Sequence, residues 1–478
     1  MLALRKTAVF FILAASLPVA AQSRRAAQAA PSAAANTPAT ASAELTVKQM
    51  FDEANGYTKA KFTEYAEKKT PYSDALMAKT KLEQRQLAAR YATLAGSRQD
   101  IAGDDLYYLG MLHWIAENFD GTADALRRFT SSENAAADRA QTARSIIVVA
   151  FAKQKKLDEA EKTLAEYLAK EPKKLTERAR MEGELAKAYQ TQKDFAKMAP
   201  HAEEDYAAAK ALLKDSTSRA RGLDEILDAG MLVYEAYRDL GNREKAEAAL
   251  DDMKATAAST ASSSFYYYAV DQKIRFLIET GRKAAAMEFY ATTLANAEKD
   301  FVGKDLQADI KQRLKKREKH YKLLGELAPE LPLDVEWFPG KQRALASLKG
   351  KVVLLDFWAT WCTPCFDAFP SLIEWQQDHR SDGFEIIGIT RYYREVNGMP
   401  ADEESELKFL KEFRQRERLP YDMVVGKDQN MQLTYGATGL PTAVLIDRKG
   451  VVRYVESGTS PTRIEQMRLM LLKLLAEK

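Results

Sequence analysis

The sequence predicts a multidomain chain: an all-α region of helical-hairpin repeats over residues 44–324, then an α/β domain over residues 325–478. Three observations predict it. From Glu44 to Leu324 the composition is alanine-rich and charged, with almost no strand-forming runs. From Lys351 onward, apolar β-branched runs alternate with segments of helical periodicity. The 478 residues hold two cysteines, three apart in Trp361-Cys362-Thr363-Pro364-Cys365, where an apolar strand gives way to a helix.

At the N-terminus, Arg5 and Lys6 precede an apolar run from Ala8 to Ala21, which ends in Val19-Ala20-Ala21 before Gln22. A charged start, a short apolar stretch and small residues before the cut predict a secretory signal peptide over 1–21. No cysteine follows the cut, so a lipid anchor is not expected. The alternative is that the run stays uncleaved and tethers the chain to the inner membrane. Either way the expected compartment is the periplasm, where dithiols meet disulfides. Residues 22–43 are rich in alanine, with Ser, Pro, Thr and Asn, which predicts a disordered linker.

Within the helical region the prolines are Pro71, Pro172 and Pro200, read as helix borders. The clearest unit runs from Ser145 to Pro172. Its first helix presents Ile147, Ala150 and Phe151, and a turn follows near Lys155-Lys156. Its second helix presents Ala160, Leu164, Tyr167 and Leu168. Phe119, Leu157 and Phe195 recur at 38-residue spacing, each at the start of a second helix, and Gly241 and Gly281 stand 40 apart in later turns. The unit resembles a tetratricopeptide repeat. Its period exceeds that family's length of about 34 residues, so four or five degenerate repeats are expected. Stacked hairpins give a concave face. That face is either a docking surface for proteins or peptides, or part of a spacer without a ligand. The aromatic run Phe265-Tyr266-Tyr267-Tyr268 is read as core. The basic run from Lys311 to Lys322 is read as the solvated face of a last helix.

The C-terminal elements follow in order. A short strand pair is expected around Val335 to Phe338, then a buried strand ending at Ala359 and a helix from Phe366 to about Arg380. A strand over 384–390, a helix over 403–416, a strand over 423–425 and a helical turn over 430–435 come next. Beyond Pro441, strands over 442–446 and 451–455 form a hairpin, and a helix covers 461–476.

The cysteine pair carries the chemistry. At a helix start, backbone amides and the dipole favour the Cys362 thiolate. That thiolate attacks a partner disulfide, and Cys365 resolves the mixed disulfide. Cys362 is expected to be exposed and Cys365 buried. A zinc site needs four ligands, and His113, His201, His320 and His379 are scattered without ligand spacing, so no metal is expected. A peroxide-reducing cysteine would want a threonine where Ala359 stands. No phosphate loop, nucleophile elbow or nicotinamide fingerprint occurs, so no cofactor beyond the dithiol is implied. With 71 basic and 68 acidic residues the net charge is +3, which gives no reason to expect nucleic acid as a partner.

Several stretches together carry a family resemblance. They are Ala328-Pro329, Leu348-Lys349-Gly350-Lys351, Phe357-Trp358-Ala359-Thr360-Trp361-Cys362-Thr363-Pro364-Cys365, Pro370, and Gly439-Leu440-Pro441-Thr442 followed by Ala443 to Gly450. In these the last third of the chain resembles the TlpA-like thiol-disulfide oxidoreductases of the thioredoxin superfamily. The resemblance implies that Pro441 is cis. It further implies that Leu440 and Trp361 contact substrate, Leu440 by strand addition. Asp356, six residues before Cys362, is implied to be a buried proton acceptor whose pKa burial raises. Many TlpA-like proteins carry a glutamate three residues after the second cysteine. Ala368 stands there in this chain, so the acid–base role is expected to rest on Asp356. The Thr363-Pro364 pair lacks the histidine of strongly oxidising relatives, which implies a reducing potential.

The expected function is therefore a periplasmic disulfide reductase. Its expected partners are disulfide-containing envelope proteins and an upstream thiol reductant, a membrane-bound one among the options. The alternative is a helical scaffold of an envelope complex that carries an accessory redox-regulated domain.

Overall fold

The computed structural model describes residues 45–477. The expected signal peptide (1–21) and linker (22–43) lie outside these residues. The helical region opens with the hairpin α1 (Val47–Glu67) and α2 (Asp74–Gly96). Next come α3 (Asp104–Ile115) with α4 (Phe119–Thr130), α5 (Ala137–Lys153) with α6 (Leu157–Leu168), and α7 (Leu175–Gln192) with α8 (Phe195–Leu212). Then follow α9 (Arg219–Asp239) with α10 (Arg243–Ser259), α11 (Ser263–Glu279) with α12 (Lys283–Asp300), and a last helix α13 (Lys304–Leu323).

Local chemistry explains the turns. Phe119, Leu157 and Phe195 each open the second helix of a hairpin. Ahead of α4, α8 and α10, Asn118, Asp194 and Asn242 accept hydrogen bonds from the amides of Gly121, Lys197 and Lys245, satisfying donors that a helix start leaves free, whereas Lys156 ahead of Leu157 makes no such cap. Gly241 and Gly281 have φ of 75° and 79°, the left-handed conformation that ends a helix. The hairpins outnumber the four or five expected, because α1 and α2 lack the mark that the 38-residue spacing supplied. Pro200 lies inside α8 rather than at a border. It removes the amide that would bond the carbonyl four residues back, while the rest of the helix continues.

The α/β region begins with β1 (Glu336–Phe338), a 3-10 turn (Leu345–Leu348), β2 (Val352–Phe357), α14 (Thr363–Phe366), α15 (Phe369–His379) and β3 (Phe384–Arg391). It continues with β4 (Glu395–Val396), β5 (Met399–Pro400), α16 (Glu403–Arg416), β6 (Asp422–Gly426), α17 (Asn430–Tyr435), β7 (Thr442–Ile446), β8 (Val452–Ser457) and α18 (Pro461–Ala476). One sheet runs in the order β1-β6-β3-β2-β7-β8. Strands β2, β3 and β6 are parallel, and β1, β7 and β8 pair antiparallel to their neighbours.

The expected strand pair near Val335 is instead one edge strand, β1, whose partner β6 lies far along the chain. The small ribbon β4–β5 was not anticipated. Its turn is Asn397-Gly398, both with positive φ, the residues a tight hairpin turn demands. Pro370 falls in the first turn of α15, and the helix breaks just before it, at 367–368.

Alternation along β2 sends Val352 and Leu354 to one face with Leu372, Leu471 and Leu474. Val353, Leu355 and Phe357 go to the other, into an apolar cluster that continues into Leu314, Tyr321 and Leu323 of α13. The free edge of β8 is covered by the chain leaving the helices. Gly325 donates to Val452 O and Val452 donates to Glu326 O, both at 2.8 Å. Among the described residues no helix is long and apolar enough to cross a membrane.

Candidate active site

Strand β2 delivers Asp356 and Phe357 to the sheet's C-terminal end, and Trp358 and Ala359 stay buried beyond it. The chain turns at Thr360-Trp361, and Cys362 occupies the N-cap position of α14. Cys365 lies within that helix, and the two sulfurs are joined as a disulfide. Both cysteines are buried, Cys362 at 3 % and Cys365 at 1 % exposure. The expected exposure of Cys362 is therefore not found in the oxidised pair, where its sulfur is bonded to a residue inside the helix. The surface of the turn belongs instead to Trp361, which is 58 % exposed. Its ring stands edge-on to Tyr393, 5.3 Å between centroids, and the Arg391 guanidinium lies 4.1 Å over Tyr393. The segment 391–394 thus borders the dithiol turn.

Asp356 is buried in the sheet, and its Oδ2 has no hydrogen-bond partner among the described residues. Burial pushes its pKa up to about 7. A cavity of about 30 Å³ opens beside it, lined by Asp356, Ala368, Pro441, Glu456, Thr459 and Arg463, with others. Ala368, which replaces the glutamate of many TlpA-like proteins, therefore faces this cavity.

The Leu440–Pro441 bond is cis. Gly458 N donates to Pro441 O at 2.7 Å, whereas the backbone of half-buried Leu440 makes no hydrogen bond among the described residues. The sequence-predicted residues Cys362, Cys365, Asp356 and Pro441 converge at one end of the sheet. Trp361 and Leu440 lie on the turns beside them.

Sequence reasoning missed the contribution of the helical region. His320 of α13 reaches the carbonyl of Gly436 at 2.8 Å, in the loop leading to Leu440. Glu456 of β8 accepts from Arg275 Nη2 at 2.7 Å and from Arg317 Nη1 and Nη2 at 3.1 and 3.0 Å. Arg275 also pairs with Asp271 at 2.8 Å. Strand β8 carries charged Arg453 as well as Glu456, so its sequence did not single Glu456 out, and its partners lie some 140 to 180 positions away along the chain. Among the described residues no group of three or more His, Cys, Asp and Glu side chains is placed to hold a metal.

The sequence profile of the AhpC/TSA family matches residues 324–455. The thiol-disulfide oxidoreductase ResA of Geobacillus thermodenitrificans is 30 % identical over 137 residues, which cover 28 % of this chain and 70 % of that protein. The thioredoxin-like protein YneN of Bacillus subtilis is 28 % identical over 145 residues, 30 % of this chain and 78 % of its own length. A solved thiol-disulfide isomerase from Corynebacterium glutamicum is 24 % identical with a TM-score of 0.27, covering 32 % of this chain and 98 % of that one. Through its C-terminal α/β region, and with a dithiol at the strand–helix junction, the chain belongs to the thioredoxin-like thiol-disulfide oxidoreductases related to ResA.

Proposed function

We propose that this protein reduces disulfides of envelope proteins in the periplasm through Cys362 and Cys365. The observation that carries the reading is the disulfide-capable pair beside the cis Leu440–Pro441 bond and buried Asp356. In the reduced enzyme, the Cys362 thiolate attacks a substrate disulfide, and one substrate thiolate leaves. Asp356 then accepts the Cys365 thiol proton as the Cys365 sulfur attacks Cys362. The Cys362–Cys365 bond forms, the bond to substrate breaks, and the second substrate thiolate departs. The enzyme has lost two electrons and the substrate has gained them. An upstream thiol donor restores the dithiol. The unpaired backbone of Leu440 is suited to an incoming extended strand, and exposed Trp361 offers it an apolar contact. The periplasmic assignment rests on the sequence of residues 1–21, and the reducing direction on Thr363-Pro364.

The helical region is proposed to position substrates. A groove of about 670 Å³ runs between α13 and the loop before Leu440, lined by Lys315, Lys316, Lys319, Leu433 and Thr438 among others. An acidic stretch of a substrate protein would find cations there, beside the segment that receives its disulfide.

The test is a trap. A Cys365→Ser variant cannot resolve the mixed disulfide, so it should retain periplasmic substrates on Cys362, recoverable under non-reducing conditions. Changing Lys315, Lys316 and Lys319 to Glu in that background should alter which proteins are held. A variant that holds none contradicts the reductase reading. An unchanged set of captured proteins contradicts the docking role alone and demotes the helical region to a spacer.

A further inference from the structure

Two carboxylates share the cavity behind the dithiol. Asp356 of β2 lies opposite Ala443 of β7, and Ala443 lies opposite Glu456 of β8. Directly opposed residues project to the same face, so Asp356 and Glu456 flank an alanine. Two strand spacings separate their Cα atoms by roughly 10 Å. The small Ala443 side chain leaves the space between them unfilled, and the cavity of about 30 Å³ occupies it. Asp356 Oδ2 and Thr459 Oγ1 are buried there with no hydrogen-bond partner among the described residues. A volume above roughly 10–15 Å³ with two or more polar partners accommodates a water.

From the other side the helical region grips Glu456. Arg275 of α11 and Arg317 of α13 each donate to its carboxylate, and Arg463 of α18 stands 3.8 Å away at the cavity wall. Arg275 also donates to Val455 O at 3.4 Å, which fixes the clamp to the edge strand.

We propose that Glu456, fixed by Arg275 and Arg317 of the helical region, is a positioning residue that governs proton transfer between Asp356 and solvent during thiol-disulfide exchange. The helical region is then part of the redox site and not only a substrate platform. The inference rests on Asp356 acting as the base described above. When Cys365 attacks the mixed disulfide, its thiol proton passes to the Asp356 carboxylate, the Cys362–Cys365 bond forms, and the partner leaves as a thiolate. The enzyme pair is oxidised and the partner reduced. The proton on Asp356 then leaves through the cavity by way of a water held between Asp356, Thr459 and Glu456.

The charges around the pair determine the sign of the effect. Facing Asp356 across the cavity are Arg463 of α18 and Tyr454 and Glu456 of β8, with Tyr421 ahead of β6 also near it; Ala368, which caps α15, and Leu372 within α15 are uncharged. Facing Glu456 are Tyr267, Asp271 and Arg275 of α11, Arg317 and His320 of α13, Tyr454 on β8, and Arg463. Burial raises the phenols of Tyr267, Tyr421 and Tyr454 and lowers His320, so these four are neutral near pH 7. The nearest unbalanced changes available are therefore removal of the Glu456 anion or of one arginine cation.

The experiment uses full-length protein, reduced and then mixed with the chromogenic disulfide of 5-thio-2-nitrobenzoate. Release of the first thiolate marks attack by Cys362, and release of the second marks resolution by Cys365. The pH dependence of the second phase reports the base, with an inflection near pH 7 expected for the wild type. Removing a negative charge roughly 10 Å away, at an effective dielectric of about 20, moves that inflection by about one pH unit. Glu456→Gln should move it to lower pH, and Arg317→Gln to higher pH. A role in structure alone gives no such opposite pair. If Glu456→Gln does not fold, Arg317→Gln decides the matter, because an unmoved inflection there overturns the inference. Inflections unmoved in both variants, or moved in the same direction, also overturn it. A wild-type profile without an inflection, unaltered by Asp356→Asn, overturns Asp356 as base and this inference with it. An inflection abolished by Asp356→Asn but indifferent to Glu456 and Arg317 overturns this inference alone.

Discussion

His320 Nε2 lies 2.8 Å from the carbonyl oxygen of Gly436, so the last helix of the helical region is hydrogen-bonded to the loop that leads into Leu440 and Pro441. Burial lowers the pKa of His320, so the imidazole is neutral and donates from Nε2. Gly436 is the residue this contact requires. Its φ is +68°, and an added Cβ would stand 2.8 Å from His320 Cδ2.

Gly436→Ala should therefore destabilise the protein by at least about 1–2 kcal/mol, the cost of a left-handed non-glycine residue, with displacement of His320 added. Urea unfolding of the full-length protein measures it. A variant as stable as the wild type would show that loop and helix are not held as described.

His320 also predicts an acid limb of stability. Its pKa is lowered in the fold from the ordinary 6.5, so below about that pH the unfolded chain binds the proton more readily. The stability from this group is present above pH 6.5 and lost as the pH falls. His320→Gln keeps a donor for Gly436 and removes the titration. Unfolding free energies measured from pH 8 to pH 5 should fall less steeply for the variant than for the wild type.

Asp356 acts in the opposite sense. Its pKa is raised from 3.8 to about 7, so between those values the folded state holds a proton that the unfolded chain has released. Stability from this group is full below about pH 4 and declines as the pH rises to about 7. Asp356→Asn should be more stable than the wild type at pH 8, by up to about 4 kcal/mol, with the gain vanishing toward pH 4. Asp205 is also raised to about 7 by burial and contributes the same slope, so the variant-minus-wild-type curve is the quantity to read.

The potential of the pair follows from what stands between the cysteines. With Thr363 and Pro364 there and no histidine to stabilise the thiolate, a redox titration should give a value nearer about −270 mV than about −120 mV. A value near the latter would make the protein a disulfide donor.

Much of the fold was legible because its signals are local. The helices Glu403–Arg416, Asn430–Tyr435 and Pro461–Ala476 and the strand Thr442–Ile446 match the periodicity residue for residue, since caps, prolines and apolar spacing lie within each segment. The 38-residue recurrence marked second-helix starts because an apolar first residue repeats at each, with an Asn or Asp cap before Phe119 and Phe195. The site was legible as far as the dithiol, Asp356 and Pro441, all within short motifs. What could not be read was anything set by register or docking. β1 pairs with a strand far along the chain, Glu456 meets Asp356 only through the pairing of three strands, and Arg275, Arg317 and His320 reach the site across the helix–sheet boundary. Pro200 was misplaced because a proline inside a helix and one at its border look alike in sequence.

The central claim is that the Cys362–Cys365 pair makes this protein a disulfide reductase. Its most direct test is the rate at which full-length protein catalyses reduction of insulin by dithiothreitol at pH 7, compared with a Cys362→Ser variant that unfolds at the same denaturant concentration. The account predicts clear catalysis by the wild type and only the uncatalysed background rate for the variant. Equal rates from the two proteins would contradict it.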